Sequence, residues 1–148
     1  MRIIHLTLAL AVLAGIVQPK ITYAADGASI HAILITASNA KTPPDARLAP
    51  YETALQRNLP ESSFRYVGEG SASLAGNGRA IITLGQGHRV ELERDSGAGD
   101  RVRMKLQWMN GSAAVMSTTV ALPRGVPVVL GRRPSGDGDV PIVLVMAR

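Results

Sequence analysis

The side chain best suited to carry protons near neutral pH is histidine, and beyond residue 24 the sequence holds two, His31 and His88. A serine hydrolase built on either would set it against a serine in a strained strand-to-helix elbow. The Gly-x-Ser-x-Gly pattern of that elbow is absent, and Gly70-Ser71-Ala72-Ser73 does not reproduce it. His31 and His88 are therefore expected to be structural or exposed, and no catalytic residue is assigned. The histidines lack H-x-H, H-x₃-H and H-E-x-x-H spacing, so no zinc site is expected. With no cysteine in the chain, a thiol nucleophile, thiolate metal ligands and the lipid-modified cysteine of a bacterial lipoprotein are excluded together.

Carboxylates offer little more. Glu91 and Glu93 lie two apart, on one face of a strand, as a pair for acid and base catalysis would. Arg and Lys side chains expected opposite would keep both ionised, which suits a solvated charge ladder and not a general acid. Ser135-Gly136-Asp137-Gly138-Asp139 has oxygen ligands but lacks the spaced carboxylates and closing Glu of a calcium loop, and Asp with Gly is what a plain turn uses. Ten of the fifteen glycines fall in the Gly-x-Gly units Gly68/Gly70, Gly76/Gly78, Gly85/Gly87, Gly97/Gly99 and Gly136/Gly138. None continues into a dinucleotide or phosphate-loop signature, so they read as turns, and no cofactor is expected.

Arg101, Arg103 and Lys105 make a basic stripe, but the facing glutamates would cancel much of its field. Only four aromatics follow residue 24: Tyr51, Phe64, Tyr66 and Trp108. Tyr51, Phe64 and Trp108 sit at core positions, leaving Tyr66 alone to stack on a base or sugar. Nucleic acid is not an expected partner.

Short strands must position all of these. Ser29 to Ser38 is an almost unbroken apolar run, the pattern of a strand covered on both faces. From Asp45 to Leu59, Leu48, Tyr51, Leu55 and Leu59 recur at helical spacing, with Asp45 as cap and Pro60 as stop. Pro50 falls inside that span, so the regular helix is expected to begin near it, after a looser turn. The remaining runs are Ser63–Glu69, Arg79–Leu84, His88–Arg94, Arg101–Met109, Ala113–Leu122, Val126–Gly131 and Val140–Ala147. Val102, Met104, Leu106 and Trp108 alternate with Arg101, Arg103, Lys105 and Gln107, which places one face in the core and one in water. The strand before it is expected to join it in a hairpin across Ser96–Gly99, and Asn110-Gly111 marks the next turn. Ile142 to Met146 is apolar throughout and is expected to be a central strand. The fold class is mainly β (α+β): an antiparallel sandwich or partly open barrel of about eight strands, with one helix at about 46–59.

Ahead of this domain, Arg2 and His5 lead into the apolar run Leu6 to Val17, then Gln18-Pro19-Lys20 and the small-residue site Thr22-Tyr23-Ala24. That order is a secretory signal peptide over residues 1–24, cut before Ala25. The run is about 12 residues, short of the roughly 20 that span a bilayer. Removing 24 of 148 residues leaves 124 in a single domain, 25–148, with 14 basic residues (16 less Arg2 and Lys20) against 11 acidic, a charge of +3. The expected location is periplasmic or secreted, with no transmembrane segment after cleavage.

Thr118-Thr119-Val120, Gly125, Val128-Val129-Leu130-Gly131 and Ile142-Val143-Leu144-Val145 together resemble a hairpin of secretins, the outer-membrane secretion channels. The chain lacks their Val-Pro-x-Leu-Gly-Asp-Ile-Pro signature, so no residue role carries over. The order of signal peptide, strand, helix and β-domain also resembles small exported proteins of unknown function. Taken with the missing catalytic constellation, the expectation is a non-enzymatic interaction protein whose partner is another envelope protein. A small-ligand or glycan-binding module comes second, and a small hydrolase with an unconventional site third. An open sheet edge would favour the first and a deep polar pocket the others.

Overall fold

The computed structural model describes residues 27–95, 100–131 and 138–148. The expected signal peptide and its cleavage site, the Ser96–Gly99 turn and residues 135–137 of the acidic loop lie outside them. Eight strands are present: β1 (Ala28–Ser38), β2 (Ser63–Leu74), β3 (Arg79–Gly85), β4 (His88–Arg94), β5 (Arg101–Asn110), β6 (Ala113–Pro123), β7 (Val128–Gly131) and β8 (Val140–Ala147). They form two antiparallel four-stranded sheets, ordered β2-β1-β8-β7 and β3-β4-β5-β6, so of the two architectures expected the molecule is a sandwich and no closed barrel. No helix among the described residues is long and apolar enough to cross a membrane.

The continuous apolar runs follow from layering. β1 and β8 are the inner strands of the first sheet, and both of its faces are covered. Ile30, Ala32, Leu34, Val143 and Val145 face the second sheet, in a core shared with Val90, Leu92, Met104, Leu106 and Trp108. Ile33, Ile35, Ile142 and Leu144 point the other way, under Leu48, Leu55 and Phe64. Leu48 and Leu55 are both buried, and burying a leucine contributes about 1.5–3 kcal/mol, enough to hold so short a helical segment down. Tyr51, expected in the core, is half-buried at the margin of this second cluster. The second sheet has no such cover, which is why its strands alternate: Val102, Met104, Leu106 and Trp108 are buried and Arg101, Arg103 and Lys105 exposed.

The helical segment divides where proline requires. Ala46–Tyr51 is a 3₁₀ helix containing Pro50, and the α-helix α1 runs only over Glu52–Asn58. The Asp45 side chain caps the start by accepting from the Arg47 backbone N–H at 3.1 Å, and Leu59, extended at φ −126° and ψ 139°, ends the helix before Pro60.

Gly68 and Gly70, expected in a turn after a strand ending at Glu69, lie instead within β2, which continues to Leu74. Here β2 of the first sheet crosses closely over β3 of the second. A Cβ on Gly68 would run into the Leu84 carbonyl oxygen, and one on Gly70 would lie 2.6 Å from Ile82 Cγ2. These glycines remove side chains so that two backbones can meet. By contrast Gly87 serves a true two-residue hairpin turn with Gln86, at φ +79° and +52°.

Candidate functional site

His31 lies on β1 directly across from Ser71 of β2, with Glu69 opposite Ile33 two pairs along and on the same face. The histidine Nδ1 is 2.8 Å from Ser71 Oγ, and its Nε2 is 3.1 Å from Glu69 Oε2. A carboxylate only accepts, so in the neutral imidazole Nε2 carries the proton and donates to Glu69. Nδ1 is then left to accept from the Ser71 hydroxyl. The histidine side chain is 13% exposed and that of Glu69 49%, while Ser71 is open to solvent.

The polar chain continues beyond Glu69 because of a β-bulge. Leu34 pairs with Gly68 but Ile35 with Tyr66, which makes Val67 an extra residue on β2. Residues 66 and 69 would otherwise fall on opposite faces of the sheet, and the bulge puts them on the same one. Tyr66 neighbours Glu69, and burial followed by the Glu69 charge raises the pKa of its hydroxyl. The Arg47 guanidinium lies 4.2 Å over the Tyr66 ring and also holds Asp45, at 2.9 Å. Hydrogen bonds from the Arg47 side chain, and less strongly from the Arg47 and Tyr66 backbone N–H groups, take the Asp45 carboxyl down to about 2 against the opposing effect of burial. A row of polar side chains thus extends from the helix cap past Arg47, Tyr66, Glu69 and His31 to Ser71.

His88 opens β4 and points into the sandwich. It is buried and accepts at Nδ1 from the Trp108 indole N–H at 3.0 Å, with the rings 5.7 Å apart. Indole only donates, so His88 carries its proton on Nε2, and burial lowers its pKa.

The glutamate ladder differs in detail from the expected one. Glu93 does lie between Arg79 and Lys105, and binds Arg79 at 3.3 Å. Glu91, however, lies between Ile81 and Gln107 and pairs with Arg89 of its own strand, at 3.0 Å. These side chains line an open depression of about 400 Å³ on the bare face of the second sheet, with Ile81 62% exposed in it. None of the four aromatics lines it. Beside the helix lies a cleft of about 40 Å³, between Thr42, Asp45, Leu48 and Phe64. Asp139, from the candidate calcium loop, reaches Arg65 at 3.4 Å, and no group of three or more metal-ligating side chains occurs among the described residues.

The two long seams of the sandwich are unequal. At one, β2 lies against β3, and each covers the other's edge. At the other, among the described residues β6 is paired as a strand only with β5, with a single bridge from Arg124 just beyond it to Ala147 of β8, and β7 is four residues long. β6 runs Ala-Ala-Val-Met-Ser-Thr-Thr-Val-Ala-Leu-Pro without a charge, and from Met116 to Pro123 its register is regular. Val115, Met116 and Val120, with Val128 and Leu130 of the β7 region, pack on the core yet stay only half-buried. No family model matches the chain, and no curated protein or solved structure does.

Proposed function

We propose that this is an exported, non-enzymatic interaction protein, an accessory subunit of an envelope or secretion assembly, that takes up an extended strand of another envelope protein along β6. The observation that carries this reading is the uncharged, singly paired β6 edge. Free edges are normally blunted by charge, proline, a bulge or short length. The bulge at Val115 protects the start of β6, and Pro123 with the Arg124–Ala147 bridge protects its end, which leaves Met116 to Leu122 as the stretch to which a strand could add. Such a strand would also cover the half-buried Met116 and Val120. Uptake of a small ligand in the depression over Arg79, Glu93, Lys105 and Gln107 ranks second, because a glycan would find no aromatic platform there.

A photo-crosslinking residue placed at exposed Ala121 on β6 should capture a defined envelope protein in living cells, and one at Arg79 on β3 should not. Ser117→Lys with Thr119→Lys, both at exposed positions, should abolish the adduct while leaving the thermal melt unchanged. Adducts that form equally from β3, or survive the double substitution, refute the reading.

A further inference from the structure

Strand addition at β6 makes no use of Ser71, which lies on the other sheet. We propose that Ser71 is an acyl-acceptor site: a nucleophile activated by His31, which Glu69 positions, that takes the acyl group of a small activated ester. A serine hydroxyl is a weak nucleophile unless a base lies within hydrogen-bond reach and a third group orients that base. Both conditions hold here, at 2.8 Å and 3.1 Å. Glu69 sets the tautomer that leaves Nδ1 unprotonated toward the hydroxyl.

In the reaction the Ser71 oxygen forms a bond to the ester carbonyl carbon while its proton passes to His31 Nδ1. The bond from that carbon to the leaving oxygen breaks, and the leaving alkoxide takes the proton from Nδ1. A seryl ester and a free alcohol result, with no change in oxidation state. The site is an open strand face, so it has none of the water-excluded dipoles that stabilise an oxyanion most. The acceleration is then that of a general base alone, about 10²–10⁴-fold. A good leaving group is required for acylation, and the seryl ester, whose leaving group is poor, accumulates without turnover. The site is thus compatible with a non-enzymatic protein.

The test has an internal control, because Ser73 is exposed on the same face of the same strand. The mature protein is treated with p-nitrophenyl acetate and its peptides mapped. Hydroxylamine separates seryl esters, which it cleaves, from amides at Lys41 and Lys105. The expected result is one equivalent of p-nitrophenolate released in a burst and acetylation of Ser71 about 100-fold faster than of Ser73. His31→Gln should bring Ser71 down to the Ser73 rate, and Glu69→Gln should lower the ratio between the two serines. A ratio near one in the native protein overturns the proposal, as does an unchanged ratio in a folded His31→Gln protein. Should that variant fail to fold, the native ratio and the Glu69→Gln ratio decide.

Discussion

Replacing Trp108 by alanine should be among the most damaging single changes available to this domain. Trp108 is fully buried at the centre of the second sheet, between Val90 of β4 and Met116 of β6. Deleting a large aromatic from a core costs about 3–5 kcal/mol, transfer and cavity together. The His88 Nδ1 would also lose its donor at a buried position, a further cost of about 1–3 kcal/mol. The sum approaches the stability of a small domain, about 5–15 kcal/mol, so Trp108→Ala should be at best marginally folded. Trp108→Phe keeps a six-membered ring but loses the five-membered part of the indole with its N–H, and should fall between Trp108→Ala and the native protein. Arg103, five residues earlier on the wet face, is 61% exposed in its pair with Asp95 at 3.5 Å, and Arg103→Gln should cost about 0–1 kcal/mol. Urea unfolding followed by far-UV circular dichroism measures all three, since Trp108 is the only tryptophan and its fluorescence is lost with it. An Arg103→Gln protein less stable than Trp108→Ala would refute the assignment of faces. So would native Trp108 fluorescence that iodide quenches as readily as free tryptophan.

Three further outcomes are expected. Gly68→Ala should destabilise by about 1–3 kcal/mol or more, because the new methyl meets the Leu84 backbone, whereas Gly138→Ala, with open space around it, should stay within about 0.5 kcal/mol in the same urea titration. His88 should make the protein acid-sensitive: unfolded, it binds a proton near 6.5, and folded only at lower pH. Its contribution is therefore complete above about 6.5 and lost as pH falls through the lower folded value, so melts at pH 7.5 and 5.5 should differ more in the wild type than in His88→Gln. Mass spectrometry of the exported protein should find Ala25 at the N-terminus without a lipid; an intact Met1 would exclude cleavage.

Strand positions were legible because each layer imposes its own pattern. The bare second sheet writes a two-residue alternation into Arg101–Asn110, and the doubly covered first sheet writes unbroken apolar runs into Ala28–Ser38 and Val140–Ala147. The helix stop at Pro60 and the awkwardness of Pro50 were equally plain, since proline acts on its immediate neighbours alone. Gly68 and Gly70 were misread because a glycine that makes room for another backbone looks, in sequence, like a glycine that makes a turn. Only the meeting of β2 with β3, a non-local event, distinguishes them.

The polar chain ending at Ser71 was hidden for a related reason. His31 and Ser71 are 40 residues apart, and their meeting depends on the register of β1 with β2. Even a correct pairing would have left Tyr66 on the wrong face, because the bulge at Val67 reverses the alternation within β2. A serine elbow is a local signature, whereas the His31–Ser71 arrangement is wholly cross-strand. The β6 edge is the opposite case: its lack of charge is written in Ala113–Pro123, but that it is an edge depends on sheet order. Both sites therefore arise from pairing. With the β2–β3 seam closed by glycines, β6 is the longer of the two outer strands at the other seam among the described residues. The bulge in β2, three residues before Gly70, gathers the Tyr66, Glu69 and His31 side chains that lead to the Ser71 hydroxyl.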